Sequence, residues 1–426
     1  MKRIKKWLPD ARPLVDHPNY RRVFIGQWVS SLGSSITMVA LGFQVYELTG
    51  SSFWVGLLGG FRLVPLTVAG FVAAPIADRV DRRRYLLWME GCLGLISLGL
   101  YFVAENRMGV SWVLALAAAS GWFDGMHRPA FDALMPRLVP KDLLGAVASW
   151  NGLRGTVALL IGPAIAGVIL ATFGLSVSYL IDAASFVIGL FFLFRVQGSF
   201  RAEGASVGRP KISEWIEGFH YARKDRVLLG SYLVDIASMI FTFPHALFPE
   251  MAKNGIFTLP ATWAGASSEK VLGWYYAATG FGAMCVSIFS GWASRARFHG
   301  RAVVIGAIGW SVAIGIMAQV DSVFSALFFL AVAGGYDMVS GIFRSRIWNE
   351  TIPDRIRSRL AAVEMASYMS GPLLGGTLLG AMSGTYGIRT TFGMGALVSV
   401  AVIVGLTIWL RPFWNYRAAY SSSTND

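Results

Sequence analysis

The amino-acid sequence predicts an all-α polytopic membrane protein with twelve transmembrane helices in two pseudosymmetric six-helix bundles. Three observations lead there. Of 426 residues, 55% are apolar and only 14% charged, with a mean hydropathy of +0.55, whereas soluble domains carry about 25% charged residues. The apolar residues run in long segments, each near the ~20 residues that cross a hydrocarbon core as a helix. They do not form the short alternating strands of an outer-membrane barrel. Lysine and arginine collect in alternate loops, as they do on the cytoplasmic side of a membrane.

In chain order, residues 1–22 form a basic N-terminal arm. Twelve apolar segments follow at 23–46, 53–77, 85–104, 111–134, 146–171, 177–195, 227–249, 271–293, 302–319, 322–343, 358–383 and 390–410. Sorted by loop, thirty Lys and Arg fall on the side of both termini and four (Arg107, Lys253, Lys270, Arg389) on the other. Three more, Arg62, Arg128 and Arg154, lie inside helices. This distribution places both termini in the cytoplasm. The basic start (Lys2, Arg3, Lys5, Lys6) runs into polar sequence, so no cleavable signal peptide is expected. The net charge of +13 is confined to one set of loops, which points away from nucleic acid. Cys92 and Cys285 fall in apolar segments, so neither a disulfide nor a metal site is expected. No phosphate-binding Gly-x-x-x-x-Gly-Lys-Ser/Thr stretch is present, no cofactor is implied, and the chain does not read as an enzyme.

The segment 196–226 divides the helices into bundles at 23–195 and 227–411, ahead of a tail at 412–426. Gly204, Ser206, Gly208 and Pro210 make its first half a flexible linker. Its second half sets Trp215, Ile216, Phe219 and Ala222 on one helical face, the pattern of an amphipathic helix lying on a membrane. The bundles repeat one another. At an offset of 213, Gly121-Trp-Phe-Asp124 falls on Gly334-Gly-Tyr-Asp337 and Pro140 on Pro353. At an offset of 217, Ala74…Arg84 falls on Gly291…Arg301. Internal repeats around a midplane site mark secondary transporters.

The loop Ala77-Asp78-Arg79-Val80-Asp81-Arg82-Arg83-Arg84 holds six charges in eight residues between two almost uncharged segments. A plain positive-inside turn accounts for the arginines and leaves the two aspartates without a role. Ionisable residues within the membrane are costly and usually functional. The fourth helix carries Asp124, Arg128 and Asp132 at intervals of four, which puts them on one face where each Asp can neutralise the Arg. A self-compensating structural ladder is the alternative, most of all for Asp132. Asp337 repeats Asp124 in the tenth helix and has Gly341 where Asp124 has Arg128. Asp124 and Asp337 are therefore cavity candidates, with Asp337 the preferred proton carrier and Asp124 with Arg128 a polar substrate contact. Trp122, Phe123 and Tyr336 beside them supply an apolar wall. Asp235 and His245 lie in the seventh segment. Arginine stays charged at any relevant pH, so Arg62 is expected in a structural pair, while Arg128 and Arg154 divide evenly between structure and ligand. Asp182 and Glu364 near helix starts fit the helix dipole, and Glu90 one turn past the basic loop fits its arginines. Gly162-Pro163-Ala-Ile-Ala-Gly167 and Gly371-Pro372-Leu-Leu-Gly375-Gly376 combine a helix bend with close helix approach. Their recurrence in equivalent helices suggests a shared bend at which the halves seal.

At these residues the chain resembles the major facilitator superfamily over essentially its whole length. Asp78-Arg79-x-Asp81-Arg82-Arg83 looks like its loop signature, with Asp81 for the usual Gly and Ala74 for the leading Gly. The two Gly-Pro clusters resemble its antiporter motif. Tyr46-Glu-Leu-Thr-Gly50, Arg128-Pro-Ala-Phe-Asp-Ala-Leu-Met-Pro136, Tyr232-Leu-Val-Asp235 and Asp337-Met-Val-Ser-Gly-Ile-Phe-Arg344 are together similar to the enterobactin (siderophore) exporter family and its drug-efflux relatives. The resemblance implies alternating access around a cavity lined by helices one, four, seven and ten. It also implies proton antiport out of the bacterial cytoplasm across the inner membrane, a small-molecule substrate, a surrounding lipid bilayer and a monomer. Asp78, Arg79, Asp81, Arg82, Arg83, Gly162, Pro163, Gly371 and Pro372 become its conformational gate. Two departures bear on coupling: relatives often carry an acid where this chain reads Ser34, and the arginine common in the fourth helix is Gly121. Broad drug efflux of the macrolide type is the alternative function, ahead of lipid transport or a non-transporting scaffold.

Overall fold

The computed structural model describes residues 10–77, 80–198, 200, 219–263, 265–290, 293, 296–352 and 357–417. Asp78, Arg79, Trp215, Ile216 and Pro353, on which parts of the sequence reading rest, lie outside them. Within the described residues the long helices are α1 (Pro18–Thr49), α2 (Ser52–Ala77), α3 (Arg82–Glu105) and α4 (Val110–Leu134). The stretch Leu144–Phe194 is helical on both sides of a non-helical Gly174, giving α5 at 144–173 and α6 at 175–194. There follow α7 (Arg226–Thr242), α8 (Ser268–Ile288), α9 (His299–Met317), α10 (Val323–Thr351), α11 (Arg357–Tyr386) and α12 (Ile388–Trp409). The chain forms two compact units. One comprises Met1–Thr49 and Leu58–Arg209, the other Gly50–Leu57 and Pro210–Asp426.

The helices are built for lipid. In α3 the exposed large apolar side chains are Trp88, Leu95 and Phe102, seven residues apart, while Glu90 and Ser97 are buried. In α6 Val187, Phe191 and Phe194 face outward while Ser178, Asp182 and Ser185 are buried. Apolar surface outside and polar groups inside is the arrangement a hydrocarbon solvent selects. Among the described residues eight helical stretches are long and apolar enough to cross a membrane. The others are instructive. α4 carries Asp124, Arg128 and Asp132, α7 has 17 residues and α11 holds an internal Pro372, while Ile161–Phe194, one of the eight, runs across the break at Gly174.

Side chains set the helix ends. Asp81 caps α3, its Oδ1 accepting the Arg84 N–H at 3.0 Å. Asp225 caps α7, accepting from the Val227 and Leu228 N–H groups at 2.8 and 3.0 Å. At the hairpin between α5 and α6, Gly174 has φ 80° and ψ −179°, and at the start of α12 Gly387 has φ 75° and ψ 160°. Both conformations are open essentially to glycine alone. Residues 174 and 387 are 213 apart, the offset that relates Asp124 to Asp337.

Three segments differ from their sequence-based extents. The segment expected at 227–249 leaves the helix at Thr242, because Phe243 is extended and Pro244 follows; a separate short helix occupies Phe248–Lys253. α10 continues through 344–351, so Arg344 and Arg346 belong to a helix and not to a loop. The face predicted for the surface helix is split: Phe219 is exposed, whereas Ala222 is buried in the core of the second unit. A single β-bridge, Thr258 with Ser322, joins two loops among the described residues.

Candidate functional site

In the first unit, α2 and α4 cross closely because Gly121 has no Cβ; one placed there would strike the Arg62 carbonyl oxygen. This crossing brings the Arg62 side chain to Asp124, with Nη2 2.7 Å from Oδ2 and both side chains about three-tenths exposed (27% and 29%). The partner of Asp124 is thus a cation from the neighbouring helix, not Arg128 one turn away as the spacing suggested. Arg128 and Asp132 are exposed. Arg154 from α5 donates from Nη1 to Ser31 Oγ, and its guanidinium lies over the Phe131 ring at 5.5 Å. Trp122 and Phe123 are half-buried.

The second unit repeats the crossing and changes the charges. Gly334 of α10 lies against the Thr279 carbonyl oxygen of α8, as Gly121 lies against Arg62. Residues 121 and 334 are 213 apart and residues 62 and 279 are 217 apart, the two offsets read from the sequence. The repeat therefore puts a threonine where the first unit has its arginine. Asp337 therefore faces a crossing with Thr279 in the place of Arg62. Arg344 lies two turns along α10 from Asp337, and Asp235 lies on α7. Those two groups form an ion pair of their own, with Asp235 3% and Arg344 5% exposed. Arg344 is thus a fourth intramembrane cation that the loop tally assigned to the cytoplasm. Tyr336 is exposed, and one side of its ring lies against Gly309 of α9.

Several polar groups take unexpected partners. Glu90 is buried and accepts from Gln27 Nε2, with His127 Nε2 3.5 Å away, so it serves an internal cluster and not the basic loop. Asp182 is not at a helix start. It sits inside α6, 2% exposed, where Oδ2 accepts from Thr37 Oγ1 at 2.6 Å and Ser97 Oγ at 2.8 Å. The Ser178, Asp182, Ser185 spacing puts all three on one helical face, a signal present in the sequence. His245 lies in the turn after α7 among Phe243, Phe248 and Tyr276.

The basic loop and the Gly-Pro clusters make contacts within their own units. Asp81 Oδ2 accepts the Phe200 N–H at 3.0 Å besides capping α3. Arg82 is buried, with Nη1 3.4 Å from the Ala133 carbonyl oxygen. Arg83 donates to the Leu193 and Phe194 carbonyl oxygens at the end of α6, where a cation suits the helix dipole. Gly162, beside the buried Pro163, approaches Ser35 of α1, and Gly371, beside Pro372, approaches Met239 of α7.

A family model described as transmembrane secretion effector matches residues 11–424. The enterobactin exporter EntS of Shigella boydii serotype 18 (strain CDC 3083-94 / BS512) is 25% identical over 419 residues, covering 96% of each chain. EntS of Escherichia coli O81 (strain ED1a) is 24% identical over the same share. Among solved structures, the nucleoside transporter NupG superposes with a TM-score of 0.73 at 12% identity, covering 92% of this chain and 98% of that one. A bacterial homolog of the human lysosomal transporter Spinster gives 0.68 at 13% identity, covering 95% and 98%. These structural likenesses share the fold of two six-helix bundles. The chain belongs to the transmembrane secretion effector family of the major facilitator superfamily, and is a multi-pass membrane transporter of small molecules, not an enzyme.

Proposed function

We propose that this protein exports a siderophore or a similar amphiphilic small molecule from the bacterial cytoplasm by proton antiport with alternating access. The observation that carries the reading is the end-to-end similarity to enterobactin exporters, which covers 96% of both chains. It sits in the inner membrane as a monomer, with both termini cytoplasmic and bundles at 23–195 and 227–411 joined by 196–226. Arg128 and Arg154, with Trp122, Phe123 and Asp124, form the substrate face of the first unit. A chelator rich in acidic oxygen donors suits the exposed Arg128 guanidinium, which binds such oxygens in a fixed fork, with the half-buried Arg154 beside it. Asp337 carries the proton, with Asp235 behind it. Asp78 to Arg83 and the Gly162-Pro163 and Gly371-Pro372 bends act as the gate.

Everted vesicles with an imposed proton gradient test this. Uptake of enterobactin or another catecholate siderophore is expected. Asp337→Asn should abolish gradient-driven uptake and leave binding measurable, whereas Arg128→Gln should weaken binding. Uptake of macrolides without siderophores would move the function to drug efflux. No uptake of either class would remove the exporter reading.

A further inference from the structure

A small internal cavity of the first unit is lined by Ser34, Arg62, Ser97, Asp124 and Asp182. It holds two carboxyl groups and one guanidinium. Arg62 is engaged by Asp124 at 2.7 Å. Among the described residues Asp182 meets only neutral donors: Thr37 and Ser97 on Oδ2, and Ser185 Oγ 3.4 Å from Oδ1. On Oδ1 the wall is the backbone of α1 at Gly33, where a Cβ would stand 2.6 Å from that oxygen. The other titratable groups on the packed helices point elsewhere. Tyr179 donates to Gln44 at 2.7 Å, Glu90 is two turns along α3 with Gln27 and His127, and α1 presents only hydroxyls here. One fixed cation neutralises one carboxylate. Asp182 is 2% exposed, so a second ionised carboxylate there, on the same cavity as the first, is opposed both by its own desolvation and by the like charge.

We propose that Asp182 and Asp124 hold one proton between them, the proton residing on whichever carboxyl Arg62 leaves. With Arg62 on Asp124, Asp182 is the neutral acid. When Arg62 crosses the cavity to Asp182, that group releases its proton and Asp124 takes one, so the total charge of the three groups stays zero. The two carboxyls titrate as a pair. This places a proton-binding centre inside the first unit, apart from Asp337. Its role in transport rests on the proton-antiport reading; its existence does not.

Infrared pH-difference spectroscopy on the full-length protein in lipid, with carboxyl-13C-labelled aspartate, reads the centre without any substrate. The wild type should show the C=O band of a protonated, hydrogen-bonded aspartic acid, and Asp182→Asn should remove it. Ser97→Ala keeps the carboxyl and removes one of its hydrogen-bond partners, so it should shift the band, and it serves if Asp182→Asn fails to fold. Arg62→Gln should add a second protonated band, from Asp124. An aspartate band unchanged in both Asp182→Asn and Ser97→Ala would overturn the proposal. A confirmed band in a protein that exports nothing down a proton gradient would keep the centre and discard the export reading.

Discussion

Arg344 and Asp235 are each nearly sealed from solvent, and each is the other's counter-ion. Removing one partner of a buried pair leaves an uncompensated charge and costs about 3–5 kcal/mol, whereas replacing both is often neutral. Arg344→Gln should therefore lower the thermal unfolding midpoint sharply in detergent, and Asp235→Asn combined with Arg344→Gln should recover most of it. Equal loss in the single and double variants would show that the pair is not the stabilising unit. At this scale the sequence exposed which residues were ionisable within the membrane, Arg344 excepted, and not their partners. Asp124 offered an obvious cation four residues away on its own helix and instead takes one from α2. Asp182 read as an ordinary helix-start residue and lies deep in the bundle, caged by hydroxyls.

The helical hairpins turn on two glycines. Gly174 and Gly387 hold backbone conformations that cost other residues roughly 1–3 kcal/mol. Gly174→Ala and Gly387→Ala should each destabilise by that order. Gly405→Ala in α12, where an added methyl meets nothing within 4 Å, should change little. Thermal unfolding followed by circular dichroism compares the three, and equal effects at all three sites would show that backbone conformation is not the cause. Element positions were largely legible because apolar run length is a strong local signal. The failures lie where local and tertiary signals compete. α7 stops at Thr242 because Pro244 and the extended Phe243 end it, although the apolar run continues. α10 carries Arg344 past the apolar run because a buried carboxylate receives it.

For the whole molecule, the charge asymmetry between loops makes a direct topological prediction. In a protein with Cys92 and Cys285 replaced, Glu105→Cys at the end of α3 should react with an impermeant maleimide in intact cells. Lys141→Cys between α4 and α5 should react only in everted vesicles. The opposite pattern would invert the topology. The repeat is also visible at this scale, since the close crossings at Gly121 and Gly334 and the turns at Gly174 and Gly387 follow the offsets found in the sequence. What differs is the charge at equivalent places: Arg62 against Thr279, and Arg128 against Gly341.

Sequence alone determined the class, the helical segments, the repeat and the intramembrane charges apart from Arg344. It could do so because lipid penalises every exposed polar group, so composition and run length report burial directly. Only the tertiary structure decided which charge meets which. Pairing across helices depends on where two backbones cross, and that is set by single glycines such as Gly121 and by side-chain packing many residues away in sequence. Hence Arg62 with Asp124, Arg344 with Asp235, and Asp182 with Thr37 and Ser97 emerge from three dimensions, although every one of these residues was in plain view in one.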